Sequence, residues 1–223
     1  MKILALDTST RFMCLGLLDG SKIYEYNLET GRKLSSLLTV SIKRVLDTLG
    51  WRVDDIDYFA CGLGPGSFTG IRVGVATIKA MSWIVNKPVV GICSLDILAG
   101  NVKDTDKPII PVVDAKRNLI YTSIFKKKNG RLKRTKPYML LNEEEFIAIV
   151  PARSIIFADA LELYKEKLMR NLKEPVFLDR DYWYPKAHNI IELALERIKE
   201  KRWSSAFSIK PVYLYPKECQ IKR

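Results

Sequence analysis

A single histidine, His188, in 223 residues limits what this chain can do. A histidine-pair metal site, a Ser-His-Asp triad and a Cys-His dyad all need imidazole in a particular place. His188 lies in Pro185-Lys186-Ala187-His188-Asn189, at the start of a late helix, where a surface or capping role is expected rather than catalysis. The four cysteines, Cys14, Cys61, Cys93 and Cys219, form no Cys-x-x-Cys pair, and three of them sit in apolar stretches. Reduced core thiols in a cytosolic protein are expected. No run approaches a membrane span, and the first residues enter a strand rather than a signal peptide. A cytoplasmic chain with no membrane contact is therefore expected. Acid is also in short supply. The formal net charge is +12 and the pI about 9.5, which points either to an acidic partner such as RNA or to a Lys/Glu-rich surface of the heat-adapted kind.

What is present centres on Gly62-Leu63-Gly64-Pro65-Gly66-Ser67-Phe68-Thr69-Gly70-Ile71-Arg72. The apolar residues 56–61 before it read as a buried strand, and residues 67–86 after it as one long helix with Ser67 as N-cap. The glycines permit a tight turn and a close approach, and a helix start can seat an anion. The absence of Gly-Lys-Ser/Thr excludes a Walker loop.

Along the chain, Lys2-Ile3-Leu4-Ala5-Leu6 reads as a strand buried on both faces, ending in the polar turn Asp7-Thr8-Ser9-Thr10. Strands at 12–18 and 22–28, a helix at 32–49, the strand and helix already described, a strand at 88–92 and a short helix from Ser94 give βββαβαβα. The charged segment 103–107 is the candidate boundary. The pattern then begins again. Ile109-Ile110-Pro111-Val112-Val113 ends in Asp114, as the first strand ends in Asp7. A strand at 119–125, the turn signal Asn129-Gly130, a partner strand at 132–141 and an Asn142-capped helix follow. Strands at 155–157 and 176–178 and helices at 159–171 and 187–202 complete the second half. The expectation is a duplicated α/β fold, with lobes at 1–102 and 103–223 facing each other across a cleft.

That layout resembles the actin, sugar kinase and Hsp70 (RNase H-like) group. Four motifs narrow it: Ile3-Leu4-Ala5-Leu6-Asp7-Thr8-Ser9-Thr10, Gly64-Pro65-Gly66-Ser67-Phe68-Thr69-Gly70-Ile71-Arg72, Pro111-Val112-Val113-Asp114-Ala115 and Pro211-Val212-Tyr213-Leu214. In that order they resemble the TsaB (YeaZ) family, and the second is the most specific. The resemblance implies a non-catalytic subunit, without a cofactor, of the machinery that makes threonylcarbamoyladenosine in tRNA. It implies a TsaD-like catalytic partner, a homodimer when alone, and a wider assembly with a TsaE-like ATPase and tRNA. The catalytic relative carries a His-x-x-x-His metal motif where Ser94 and Leu98 stand here. Two further departures are Leu34, at a place where the family often has histidine, and Tyr215, where it often has arginine.

Three regions carry competing readings. Asp7, Thr8, Ser9 and Thr10, with Gly64 and Gly66, resemble a phosphate loop, in which the aspartate would organise Mg²⁺. Alternatively they form a hairpin tip bonded to its own backbone. No matching loop follows Asp114, so a vestigial site is favoured. On the two long helices, Gly70 and Gly74 with Val73, Thr77 and Met81, and Leu38, Ile42 and Val45, suggest a face packed on another subunit's helices, as in the family. The alternative is a cover supplied by the second lobe. On the interface reading, Gly74→Trp should abolish pairing and leave the fold intact. Lys126, Lys127, Lys128, Arg131, Lys133, Arg134 and Lys136 crowd one hairpin, as an RNA contact or as a solvated edge that blocks strand pairing. The tail from Ser204, aromatic and then basic (Lys217, Lys222, Arg223), is expected to return to the first lobe and to be loose at its end.

A scaffold subunit is thus expected. The alternative is an ATP-dependent phosphotransferase built on Asp7 and the 62–66 turn. A protease fails for want of a nucleophile–base pair.

Overall fold

The computed structural model describes residues 1–215, so Cys219, Lys217, Lys222 and Arg223 lie outside the described residues. The elements are β1 (Lys2–Asp7), β2 (Phe12–Asp19), β3 (Lys22–Glu29), α1 (Leu34–Thr48), β4 (Tyr58–Gly62), α2 (Phe68–Val85), β5 (Val89–Ile92) and α3 (Ser94–Ala99), then β6 (Ile109–Lys116), β7 (Leu119–Thr122), β8 (Phe125–Lys128), β9 (Arg131–Arg134), β10 (Met139–Leu141), α4 (Glu143–Ile149), β11 (Ile155–Phe157), α5 (Leu161–Asn171), β12 (Val176–Phe177) and α6 (Ala187–Lys199).

The duplication is real. The first sheet has the order β3-β2-β1-β4-β5, and the second follows β10-β7-β6-β11-β12. Senses match as well as order. β1 and β2, and β2 and β3, are antiparallel, and β4 and β5 extend the sheet in parallel. β6, β7, β10, β11 and β12 repeat this pairing for pairing. The hairpin β8–β9 is extra: it is attached to β6 through the pair Ile109–Phe125 and has no counterpart in the first sheet. The expected single strand at 132–141 is therefore two strands in different pairings. Pro137, which has no N–H to give a ladder, lies between them.

The chain forms two units, Met1–Ile97 with Pro185–Val212, and Leu98–Tyr184 with residues 213–215. This corrects the expected boundary at 102/103, because α6 and the 204–212 segment belong to the first unit. The reason lies in β1 and β2. On β1, Leu4 and Leu6 face one way and pack with α1 and α2 through Leu38, Ile42, Leu46, Ile71, Val75 and Ile78. Ile3 and Ala5 face the other way and are covered by Ile190, Ile191 and Ala194 of α6. A strand buried on both faces needs a helical layer on each, and each fully buried Leu or Ile contributes about 1.5–3 kcal/mol. Gly16 on β2 lets α6 approach, since a Cβ there would strike Ala187. The Cys14 thiol donates to the Pro185 carbonyl at 2.6 Å. As expected, the tail returns to this unit: Ser204 pairs with Val89, and the Val212 amide donates to the Leu63 carbonyl at 2.8 Å.

In the second unit, α4 and α5 cover one sheet face through Phe146, Leu161, Tyr164 and Leu168. Asn142 and Glu145 form the reciprocal cap of α4, with both bonds at 2.9 Å. The sequence reading of no membrane-like run needs one correction. α2 is long and apolar enough to cross a membrane by length and composition, with a mean hydropathy of 1.2. Its residues Ile71, Val75 and Ile78 are nonetheless buried against the first sheet.

Candidate functional site

The site is built where β1, the glycine-rich turn and the start of α3 meet. Asp7 ends β1 and is 1% exposed. Its Oδ1 accepts from the Ser9 amide and the Ser9 hydroxyl, each at 2.7 Å. Its Oδ2 accepts from the Ser94 hydroxyl at 2.6 Å. Ser94 is held in turn, its Oγ accepting from the Gly64 amide at 3.0 Å and its amide donating to the Gly64 carbonyl at 2.8 Å. Burial pushes the Asp7 carboxyl above the usual carboxylate range, against the hydrogen bonds from Ser94 and Ser9.

The remaining loop groups are also taken. The Thr8 hydroxyl donates to the Gly70 carbonyl at 2.7 Å, and the Ser67 amide donates to the Ser9 carbonyl at 2.7 Å. Thr10 accepts from the Phe12 amide at 3.2 Å. Gly66 sits against Ser9, so that a Cβ on Gly66 would strike the Ser9 carbonyl. The glycine-rich turn thus lies down on the 7–10 turn. Both carboxylate oxygens and both buried hydroxyls are satisfied by the chain itself, the arrangement of a structural hub. Ser67 caps α2 as expected, accepting from the Gly70 amide at 3.2 Å.

The residues expected at a partner interface divide in two. Leu38 and Ile42 are core residues, 1% and 4% exposed. Gly70 and Gly74 are buried and face Thr8 of the same chain: a Cβ on Gly70 would strike the Thr8 carbonyl, and one on Gly74 the Thr8 hydroxyl. Their smallness serves an internal approach, which corrects the expectation that they admit a foreign helix and that Gly74→Trp spares the fold. Val45, Val73, Thr77 and Met81 are half-buried. Val45 and Met81 pack against the first core. Val73 and Thr77 flank the outer side of α2, where Ile84, 77% exposed, and the exposed Ala76 and Ala80 lie. On α1, Val40, 65% exposed, stands at helical spacing among the exposed Lys43, Arg44 and Asp47. Ala76 and Ala80 sit at helical spacing with Val73, Thr77 and Ile84, and α2 carries only two charged residues, Arg72 and Lys79.

In the second unit, Asp114 accepts from the Lys116 amide at 2.8 Å and the Lys116 ammonium at 2.5 Å. Its own amide donates to Asp159 at 2.9 Å. Asp159, which the sequence reading missed, is held above its usual range by burial. Lys126, Lys128, Arg131, Lys133 and Arg134 are exposed and Lys127 is half-buried, all on the β8–β9 hairpin as expected. His188 opens α6, where its amide donates to Glu25 Oε1 at 2.9 Å and its Nδ1 lies 3.1 Å from Glu25 Oε2. The histidine is part of a helix cap. Leu34 is a buried core residue, and the Tyr215 hydroxyl donates to the Ala115 carbonyl at 2.9 Å. Cys14, Cys61 and Cys93 are buried and in no disulfide; burial, and then the Asp7 charge, pushes the thiols of Cys14 and Cys61 up. Among the described residues no group of three His, Cys, Asp or Glu side chains could hold a metal ion.

Comparison with known proteins gives a consistent result. Residues 28–174 match the family of TsaD, tRNA N6-adenosine threonylcarbamoyltransferase. The chain is 32% identical to the tRNA threonylcarbamoyladenosine biosynthesis protein TsaB of Bacillus subtilis over 168 residues, 75% of this chain and 67% of that protein. It is 27% identical to the TsaB of Buchnera aphidicola over 92% of this chain and 98% of that protein. Among solved structures, YeaZ from Pseudomonas aeruginosa superposes with a TM-score of 0.85 at 25% identity, covering 96% of this chain and 99% of that one. Another structure from that organism is described as similar to the peptidase YeaZ, with the same TM-score of 0.85.

Proposed function

Since the chain belongs to the TsaB (YeaZ) family, within the wider domain family of TsaD, we propose that it is a cytoplasmic accessory subunit of tRNA threonylcarbamoyladenosine synthesis. Its task is to bind a TsaD-type catalytic subunit and hold it in its active shape. One observation carries this reading: the side of α2 turned away from the first sheet is apolar where a solvated helix would be charged. Ile84 is largely exposed, with the exposed Ala76 and Ala80 and the half-buried Val73 and Thr77 at helical spacing beside it. An apolar strip of this kind is what a helix-to-helix contact buries, and a second copy of the chain would use it in the absence of the partner.

The loop that a phosphotransferase would use supports the same reading. Asp7 is bonded to Ser9 through one carboxylate oxygen and to Ser94 through the other, so both oxygens are committed to the chain's own hydroxyls and amide rather than to a cation–phosphate pair. The chain alone is therefore assigned no turnover of its own, as hydrolase or as kinase.

The test is a binding measurement. Ala80→Glu and Ile84→Glu replace exposed side chains, so melting temperatures should stay within a few degrees of the parent. Affinity for a TsaD-type subunit, by light scattering or titration calorimetry, should fall at least tenfold for each variant, about 1.4 kcal/mol. Modification activity of the mixture should fall with it. Unchanged affinity in both variants would place the contact elsewhere.

A further inference from the structure

The β8–β9 hairpin is the one piece of the second sheet without an equivalent in the first, and its charge is concentrated. Residues 115–142 contain no Asp or Glu, yet seven cations lie between Lys126 and Lys136. Several exposed cations elsewhere find carboxylates, as in Lys43–Asp47, Arg153–Glu174 and Lys167–Glu143. Among the described residues none of these seven has an ion-pair partner. Arg134 alone is engaged, lying over the Tyr138 ring at 3.8 Å.

Register adds what composition cannot. Lys126 stands directly opposite Lys133, and Lys128 directly opposite Arg131. Directly opposed residues share a face, and so do residues two apart on a strand. Lys126, Lys128, Arg131 and Lys133 therefore form a two-by-two array on one face, all four exposed. Opposed like charges destabilise a ribbon. Protecting an edge strand from unwanted pairing needs only a charge or two and does not call for cations facing each other. The other face is where the ribbon is anchored: Phe125 is 1% exposed and Leu132 is half-buried. The tip is pinned by Asn129 and Gly130, both at positive φ, and the base by Thr135, whose amide and hydroxyl both donate to the Ile124 carbonyl.

We propose that the face of this ribbon bearing Lys126, Lys128, Arg131 and Lys133 binds the phosphate backbone of RNA. The array offers unpaired cations at strand spacing and no aromatic ring on which an unstacked base could rest, so the contact is made to phosphates regardless of sequence. The choice of RNA over other polyanions rests on reading the chain as a subunit of a tRNA-modifying assembly; the array itself does not depend on that reading. It lies on a different unit from the apolar side of α2.

The experiment uses the full chain without any partner subunit. Binding to a fluorescently labelled tRNA transcript is followed by anisotropy across a KCl series. Comparison is made with a variant in which Lys126, Lys128, Arg131 and Lys133 are all Gln, and with a charge-matched control in which Lys165, Arg170, Lys173 and Lys199 are Gln. Four phosphate contacts give a slope of log affinity against log salt of about −3. The hairpin variant should lose that slope and bind at least tenfold more weakly at low salt, while the control keeps most of both. The melting temperature of the hairpin variant should not fall, because four opposed charges have gone. Equal loss in the two variants would reduce the effect to net charge and overturn the proposal, as would unchanged binding in the hairpin variant. Capture by phosphatidylserine vesicles through the same four residues, with no tRNA binding, would also overturn it in favour of a membrane contact. Because no partner subunit enters the assay, a failed contact at α2 leaves its outcome untouched.

Discussion

Gly74→Ala is expected to destabilise the chain by about 1–3 kcal/mol, the usual range for overpacking. The sign is what makes the prediction informative. Glycine in a helix interior costs about 1 kcal/mol relative to alanine, so an ordinary glycine in the middle of an 18-residue helix should gain stability on this change. Here the added methyl would strike the Thr8 hydroxyl, and Thr8 is fixed by its 2.7 Å bond to the Gly70 carbonyl. In a Thr8→Ala background the obstruction is gone, and Gly74→Ala should become neutral or stabilising. The coupling between the two sites, read from urea denaturation of the four proteins, should exceed about 1 kcal/mol. Gly74→Trp should fail to fold. A higher melting temperature for Gly74→Ala in the parent background would show that the close approach is absent.

Asp7→Ala is expected to cost about 3–5 kcal/mol, because it removes in one step the acceptor for the Ser9 amide, the Ser9 hydroxyl and the Ser94 hydroxyl, all buried. Asp7→Asn keeps one acceptor oxygen and should cost less. The two substitutions also separate charge from hydrogen bonding. Burial holds the folded-state pKa of Asp7 above the ordinary 3.8 of the unfolded chain. Between those two values the folded state binds more protons than the unfolded state, so the Asp7 contribution is fully present below 3.8 and is lost as pH rises through the folded value. Asp7→Asn should remove that part of the stability–pH curve. The same variants address phosphotransfer. Calorimetry with ATP and Mg²⁺ on the isolated chain should give no binding that depends on Asp7. Tight binding abolished by Asp7→Asn in a protein that still melts cooperatively would revive the kinase reading.

The centre of each sheet was legible because its physics is local. Apolar runs such as Lys2-Ile3-Leu4-Ala5-Leu6 and Ile109-Ile110-Pro111-Val112-Val113 fit only strands covered on both faces. The Ser67 and Asn142 caps follow from spacing along the chain. The errors arose where distant residues decide. Gly70 and Gly74 display the pattern of a helix-packing face, and only their position above Thr8 shows that the neighbour is the chain's own loop. Leu38 and Ile42 look equally available until the first sheet is laid beneath them. The covering of that sheet by α6 left one sign in the sequence, Gly16 in the middle of an otherwise bulky strand. The join between Ser94 and Asp7 left none, since the two lie 87 positions apart.

The first unit begins with β1 and is completed only by α6 and the 204–212 segment. During synthesis on the ribosome, β1 therefore waits until α6 has been made before Ile3 and Ala5 gain their cover. The second unit, apart from residues 213–215, is translated entirely within that interval. Any fragment cut at the charged 103–107 segment, the obvious place to divide the gene, would leave one side of the first sheet bare and open to aggregation.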